Sequence, residues 1–169
     1  MKECKIENVV GALAVALSDS LHQATQAQAP EPGPAAAAIA LLGHEPGLPI
    51  EQLRRALRLS HPGTVRLVDR LAEDGLVERR ASAEDRRAVA LHLTPAGETN
   101  FAAILSTRRT CIGEALQSLS REERETFGLL ADKLLGSLVK DAEQAYQVCR
   151  LCDRQSCRAC PVEGALEPD

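Results

Sequence analysis

The apolar positions near the amino terminus recur every three or four residues, which is typical of one face of an amphipathic helix. These positions are Ile6, Val10, Leu13, Leu17 and Leu21, and they predict a first helix that ends at about Gln26. Prolines at positions 30, 32 and 34 then remove backbone amide donors. This stretch is therefore expected to be a linker or a sharp corner.

Three short helices are predicted after the prolines, over residues 35–42, 49–57 and 61–73. Gly43 is expected to close the first of them, because glycine tolerates the left-handed conformation that ends many helices. Ser60 is a good amino-terminal cap for the third helix, and Pro62 is tolerated in its first turn. Asp74 and Gly75 are expected to end that helix.

The apolar period then changes from that of a helix to that of a strand, which predicts two strands over 76–80 and 89–93. Val89, Leu91 and Leu93 share one face of the second strand. The charged segment between the strands is expected to be an exposed hairpin tip. Two short helices, a turn, a third helix and a hairpin make a winged helix-turn-helix, so the predicted fold class is mainly α with a two-stranded wing.

Long helices are predicted to flank the winged unit at both ends. One begins at Pro95, and Ser120 with Glu123 forms a capping box that begins a last helix reaching Ala145. The apolar side of the first is formed by Phe101, Ile104, Leu105, Ile112, Leu116 and Leu119. These helices carry more apolar surface than the winged unit can cover, so a second copy of the chain is the expected partner in a homodimer.

The chain is thus expected to divide into four regions. Residues 1–34 form an amino-terminal dimerisation helix and Pro-rich linker, and residues 35–95 form the winged helix-turn-helix lobe. Residues 96–146 form the long dimerisation helices, and residues 147–169 form a Cys-rich tail that is expected to hold a metal.

Composition excludes several function classes. The net charge of -4 excludes a uniformly basic nucleic-acid coat, although it is compatible with a local basic patch. With 2% aromatic residues, the chain lacks the platforms on which single-stranded nucleic acids stack. No uncharged apolar run approaches the roughly 18 residues of a membrane span. Glu3 and Glu7 argue against a signal peptide, so a cytoplasmic protein with reduced cysteines is expected.

Four motifs follow one another in a characteristic order. They are Ser60-His-Pro-Gly-Thr-Val-Arg-Leu-Val-Asp-Arg-Leu71, Gly75-Leu-Val-Glu-Arg-Arg80, Asp85-Arg-Arg87 and Leu93-Thr-Pro-Ala-Gly97. With them, the chain resembles the MarR family of bacterial transcription regulators over residues 6–145. The resemblance implies a homodimer with intertwined terminal helices, in which each winged lobe docks on duplex DNA. It also implies a pseudo-palindromic operator, usually repression, and release when a small molecule or an oxidant acts between the lobes and the dimer region.

The third short helix is the candidate for the major groove, because a helix fits that groove and its amino-terminal residues face base edges. The residues nominated there are Ser60, His61, Gly63, Thr64 and Arg66. In the wing, Arg86 and Arg87 are expected to enter the minor groove, with Asp85 orienting one of them.

Other charged residues near this region have a plainer interpretation. Asp69 and Arg70 are as well explained by pairing within the fold as by contact with DNA. A solvated face explains the remaining arginines, which are Arg54, Arg55, Arg58, Arg79 and Arg80.

Four cysteines form two C-x2-C pairs in the tail, which is a strong metal-site signal in a reducing compartment. They are Cys149, Cys152, Cys157 and Cys160. Zinc held by four thiolates and an iron-sulfur cluster both remain open as the cofactor. Three interleaved arginines are expected to favour thiolates, and oxidation-sensing disulfides are a further alternative. Cys4, at the other terminus, is an additional candidate ligand.

A thiol-disulfide redox enzyme or sensor that uses the C-x2-C pairs is the rival from a different class. It is disfavoured because such motifs act beside a strand-helix-strand unit, which this helical tail lacks. The sequence also lacks paired catalytic carboxylates, a nucleophile elbow and a phosphate-binding glycine loop. We therefore expect a regulator and not an enzyme.

Overall fold

The computed structural model of the chain describes residues 3–31, 33–81, 89–154, 156, 159–164 and 166. Their helices are α1 (Glu3–Gln26), α2 (Ala35–His44), α3 (Ile50–Leu57), α4 (His61–Glu73), α5 (Pro95–Leu116), α6 (Arg121–Leu138), α7 (Ala142–Cys149) and α8 (Pro161–Gly164). Their strands are β1 (Leu48–Pro49), β2 (Val77–Ala81) and β3 (Val89–Leu93). The mainly helical, winged helix-turn-helix prediction is confirmed.

Helix α2 forms the centre of the core. Every residue from Ala35 to Leu42 is buried, and the helix packs against α5, α3 and β3. A helix that is apolar on all sides is expected to be enclosed in this way. Gly43 does not close α2 as predicted, because the helix continues to His44. A Cβ at Gly43 would lie 2.6 Å from the Phe101 ring, so this glycine permits close packing of α2 on α5.

The two helices of the helix-turn-helix pack against each other, and α3 also packs against α2. Leu53 and Ala56 of α3 are buried, as are Leu67, Val68 and Leu71 of α4. The turn between them passes through Arg58, whose φ of 53° is left-handed. The predicted cap at Ser60 is confirmed, since its side-chain oxygen accepts a hydrogen bond from the Gly63 amide at 3.2 Å.

The sheet has three strands in the order β1-β3-β2, all antiparallel, and β1 was not predicted. It is only two residues long, and Leu48 pairs with Leu91 of β3. Leu91 and Leu93 are buried, whereas Val89, which shares their face of the strand, is 47% exposed, and its neighbour Ala90 is buried. Val89 begins β3 at the wing end, where β3 extends beyond the cover of the lobe's helices.

The last predicted helix divides into two. Helix α6 ends at Leu138, Val139 turns extended and is buried, and α7 begins at Ala142. The side chain of Asp141 accepts a hydrogen bond from the Gln144 amide at 2.8 Å, so it caps a new helix. The single helix predicted to reach Ala145 is therefore wrong. The break redirects the chain, and α7 packs against α3 of the lobe.

The remaining helices leave apolar surface uncovered. Helix α1 packs along α5, yet Ile6, Val9 and Val10 stay about half exposed. Helix α6 contains no buried residue, and Leu130 is 56% exposed.

The predicted capping box that begins α6 is confirmed by the hydrogen bonds between Ser120 and Glu123. Within the described residues, no helix is sufficiently long and apolar to span a bilayer.

Candidate nucleic-acid interface

The amino terminus of α4 faces solvent and presents a small polar surface. Ser60, His61 and Arg66 are exposed, and Gly63 is partly exposed. The backbone amides of a helix's first turn attract anions, because they have no partner within the helix and lie at the positive end of its dipole. Among the described residues, Arg66 enters no ion pair, so its guanidinium is available to a phosphate or a base edge.

Thr64 must be removed from the predicted contact set. Its side chain is fully buried between α4 and the core, and its hydroxyl donates to the Ser60 carbonyl at 3.1 Å. A side chain that points into the lobe cannot reach a base edge. The prediction placed Thr64 near the start of α4, where sequence position indicates proximity to DNA but not the direction of the side chain.

The turn before α4 is braced by an ion-pair cluster. Arg54 donates to Glu51 through Nε at 2.9 Å and through Nη2 at 2.8 Å, while its Nη1 donates to the Leu59 carbonyl at 3.3 Å. Arg55 donates to Glu51 at 3.1 Å. The hydrogen bonds from these two guanidinium groups lower the pKa of Glu51 to about 2. Arg54 therefore positions the turn.

Two other charged residues of α4 pair within the fold. Arg79 of β2 donates to Asp69 at 2.6 Å, which joins α4 to β2. Arg70 donates to the Glu31 carboxylate, through Nη2 at 2.8 Å, and so joins α4 to the linker after α1. Of the two interpretations left open for Asp69 and Arg70, pairing within the fold is the one observed.

The wing residues nominated for the minor groove, which are Asp85, Arg86 and Arg87, lie outside the described residues. The structure does describe both strands that lead to them. The β2 and β3 ladder is in register from Val77 opposite Leu93 to Ala81 opposite Val89. The hairpin therefore extends from the same lobe that carries the exposed start of α4.

Three of the four tail cysteines line one cavity of about 250 Å³ between α6, α7 and α8. These are Cys149, Cys152 and Cys160, whereas Cys157 lies outside the described residues. The interaction between the neighbouring Cys149 and Cys152 thiols lowers the pKa of Cys152 and raises that of Cys149. Within the described part of the chain, no three potential ligands are arranged to hold a metal ion. Cys4 is exposed near the start of α1.

Comparison with known proteins finds a family model and a relative that match the lobe. Residues 32–88 match the family model described as MarR family. The regulator BilQ of Clostridium symbiosum, an HTH-type transcriptional regulator, is 33% identical over 93 residues, which cover 55% of this chain and 65% of BilQ. The match thus spans slightly less than two thirds of that relative.

Solved structures are similar to this chain over a longer part of its length. A MarR family protein from Bacillus stearothermophilus is 25% identical with a TM-score of 0.71, covering 83% of this chain and 99% of that protein. The lobe has the MarR winged-helix fold. FabT of Streptococcus pneumoniae, solved in complex with DNA, is 25% identical with a TM-score of 0.52, covering 60% of this chain and 71% of FabT.

The winged-helix lobe is joined to the tail by a contact that the sequence did not predict. The carboxylate of Glu45, just after α2, accepts hydrogen bonds from the Tyr146 hydroxyl at 2.9 Å and from Arg154 Nη1 at 2.6 Å. His44 donates through Nε2 to the Cys152 carbonyl at 2.6 Å. We call these three contacts the Glu45 junction. Burial is the main cause that lowers the pKa of His44.

No local sequence pattern predicts the Glu45 junction. Its partners are separated by 101, 108 and 109 residues along the chain. The sequence offers His44 no partner at ligand spacing, and only the fold brings the Cys152 carbonyl to it. The junction joins the Cys152 carbonyl to the His44 side chain at the end of α2.

Proposed function

We propose that the chain is a homodimeric transcription regulator of the MarR type that binds pseudo-palindromic duplex DNA. The observation that carries the proposal is the exposed, capped start of α4 next to a two-stranded wing, within the segment that matches the MarR model. BilQ is named as a transcriptional regulator, and FabT was solved with DNA. Both support this function for the present chain.

In this proposal, the start of α4 enters the major groove. Ser60, His61 and Gly63 approach the phosphates and base edges, and Arg66 supplies a cationic donor. The guanidinium groups of Arg86 and Arg87 enter the minor groove beside it, with Asp85 orienting one of them. Thr64 supports the start of α4 from inside the lobe.

A second copy of the chain is proposed to cover the apolar faces of α1 and α6. Phe127, Leu130 and Leu134 stay exposed along α6, together with Ile6 and Val10 on α1. Exposed apolar side chains on two long helices favour a helical dimer interface, since burying them removes apolar surface from water. A two-fold dimer presents two lobes to the two halves of a pseudo-palindrome.

The tail cysteines are proposed to bind zinc or an iron-sulfur cluster. Cys149, Cys152 and Cys160 line one cavity, which supports a thiolate site in part. Because these three are not arranged as a ready ligand set, the site requires Cys157 and a shift of the tail. A bound metal would supply a fixed link between the end of α7 and α8, and a cluster would also respond to redox state.

A small-molecule effector is also proposed. A cavity of about 370 Å³ lies between α1, the start of α2, the end of α3 and the end of α7. Arg58 and Arg150 line it together with His22, so the expected ligand is an anionic small molecule. A ligand there contacts both the helix-turn-helix corner and α1, which would change the position of the lobe.

The test uses fluorescence anisotropy with an operator duplex selected from random sequence. Arg66→Ala and Arg86→Ala are expected to weaken binding by roughly 5- to 150-fold each, because a specific base contact is worth about 1–3 kcal/mol. Arg121→Ala, on α6 and 91% exposed, is the matched control and should bind like the wild type. Affinity should also fall steeply with salt. A flat salt response, or wild-type affinity in both lobe variants, would overturn the proposal.

The thiol-enzyme alternative is tested separately. The full-length protein is given a small disulfide substrate and a thiol reductant, and turnover is compared with that of Cys149→Ser. As a regulator, the wild type should not exceed the background rate. Turnover that disappears in Cys149→Ser would favour the redox enzyme.

A further inference from the structure

We propose that the ion pair between Glu31 and Arg70 sets the separation of the two α4 helices in the dimer, so that operators are selected by the spacing of their half-sites. The selection of operators rests on the proposed regulator function, whereas the restraint that the pair puts on the lobe does not depend on DNA. Arg70 is a positioning residue in this role, because it acts on DNA only through the orientation of α4.

The geometry of the ion pair fixes direction as well as distance. Arg70 donates through Nε and Nη2 to the two different oxygens of the Glu31 carboxylate, and the second of these contacts is 2.8 Å long. Two parallel hydrogen bonds between planar groups resist rotation, which a single hydrogen bond does not. The Glu31 side chain is 22% exposed, so the pair is less open to water than an ordinary surface ion pair.

The carboxylate of the pair belongs to a segment that is anchored to a long helix outside the lobe. This segment, residues 28–31, follows α1, and we call it the α1 linker. The side-chain amide of Asn100 in α5 donates to the Gln28 carbonyl at 2.6 Å, and α1 itself packs along α5. A proline flanks Glu31 on each side in the sequence, and proline restricts its own backbone and that of the residue before it. The α1 linker is therefore a stiff support for the Glu31 carboxylate.

The other ion pair of α4 lies inside the lobe. Asp69 is paired with Arg79 of β2, so both partners move together when the lobe moves. Among the ion pairs of the described residues, the one between Arg70 and Glu31 alone joins α4 to a segment outside the lobe. Loss of this pair should therefore free α4 to change its angle to the long helices without disturbing the lobe itself.

Helix α4 converts a small rotation at Arg70 into a shift at the end that is proposed to contact DNA. His61 and Arg70 are about 14 Å apart along the helix axis, at roughly 1.5 Å per residue. A rotation of about 15° around Arg70 displaces the start of α4 by roughly 3.5 Å, which is close to one base-pair step of duplex DNA. The second lobe of a two-fold dimer makes the same movement. A lobe that the pair holds in place is thus matched to one half-site spacing.

Operators that differ only in spacing test the proposal. The selected operator is compared with versions whose half-sites lie one base pair closer together or farther apart, and each affinity is measured by fluorescence anisotropy. The wild type should prefer one spacing by roughly tenfold or more, the usual cost of a misplaced base contact. Glu31→Gln should narrow that preference by at least about threefold, because each of the two pairs in the dimer contributes up to about fivefold. Glu73→Gln removes the same charge at an exposed site on α4 and should keep the wild-type preference.

Exchange of the two charges tests whether the ion pair itself carries the effect. Glu31→Arg alone places two guanidinium groups together and should narrow the spacing preference. Glu31→Arg combined with Arg70→Glu restores opposite charges at the same two sites and should recover the preference, as expected for residues in direct contact. A combined variant that behaves like Glu31→Arg alone would overturn the proposal.

The position of the lobe is measured without DNA by pulsed electron spin resonance on the full chain. A spin label is attached through a ketone amino acid at position 74, which is exposed at the end of α4, so that the native cysteines are not labelled. The distance between the two labels of the dimer should have a broader distribution in Glu31→Gln than in the wild type. Glu73→Gln should match the wild type.

The outcomes separate the positioning role from the regulator function. A broader distance distribution in Glu31→Gln, in a protein that binds no duplex at any spacing, would contradict the regulator function and retain the restraint on the lobe. Duplex binding with the same spacing preference and the same distance distribution in Glu31→Gln and the wild type would contradict the positioning role and retain the regulator. A broader distribution with an unchanged preference would also overturn the proposal, because the pair would then hold the lobe without selecting the operator.

Discussion

The Tyr146 hydroxyl donates a hydrogen bond to the Glu45 carboxylate at 2.9 Å and so joins α7 to the end of α2. The other oxygen of this carboxylate accepts from Arg154 at 2.6 Å. Burial, followed by the hydrogen bond to Glu45, raises the pKa of Tyr146, so the phenol remains protonated as the donor. One acidic side chain therefore holds both α7 and the segment after it against the lobe.

Replacing Tyr146 by phenylalanine tests this contact. Tyr146→Phe keeps the ring packing and removes the donor, so the free energy of unfolding should fall by about 1 kcal/mol. Urea unfolding followed by circular dichroism measures the change. Arg121→Gln removes an exposed ion pair on α6 and is expected to have no measurable effect. Equal stability of Tyr146→Phe and the wild type would contradict the importance of the contact.

A glycine at the start of α5 is required by a close approach of the backbone. A Cβ at Gly97 would lie 2.1 Å from the Leu76 carbonyl oxygen, so Gly97→Ala is expected to destabilise the protein by about 1–3 kcal/mol. Gly113→Ala, in the same helix, meets no atom within 4 Å. It should be neutral or stabilising by up to about 1 kcal/mol. Thermal unfolding of both variants measures the difference in their stability. A similar melting temperature for the two would refute this explanation.

The apolar face of α6 provides a test of the proposed dimer. Leu130→Glu places a charge on that face and should convert the dimer to an 18.1 kDa monomer in light scattering. DNA binding should be lost with it, because one lobe holds only half a pseudo-palindrome. Lys133→Glu adds the same side chain at another exposed site on α6 and should remain dimeric. A dimeric Leu130→Glu protein would place the interface elsewhere.

The pKa of Glu51 can be measured by NMR titration of its carboxyl carbon. It should titrate near pH 2, below the ordinary glutamate value of 4.5, because Arg54 and Arg55 donate to the ionised form. Because the pKa of Glu51 is lowered in the folded protein, its ionised carboxylate stabilises the fold above pH 4.5. This contribution is lost as the pH falls through 2. Arg54→Ala should raise the pKa towards the ordinary value. An unchanged titration would mean that this cluster does not brace the turn.

Much of the helical framework follows from local patterns. The capping residues Ser60 and Ser120 were predicted correctly, because the hydrogen bond of a cap joins residues only three apart. The bounds of the wing strands were also predicted, to within one residue at each end of β2 and without error for β3. These features depend on spacing, turn residues and apolar periodicity, which are all readable in a short window.

Several features of the protein cannot be predicted from a short stretch of its sequence. The pairing of Leu48 with Leu91 creates β1, and packing inside the lobe buries Thr64, although its position in α4 indicates a DNA contact. The Glu45 junction joins residues about a hundred positions apart. Local chemistry thus specified the helices, their caps and the hairpin. Side-chain direction and distant partners required the packed molecule, because burial and long-range hydrogen bonds depend on which surfaces meet.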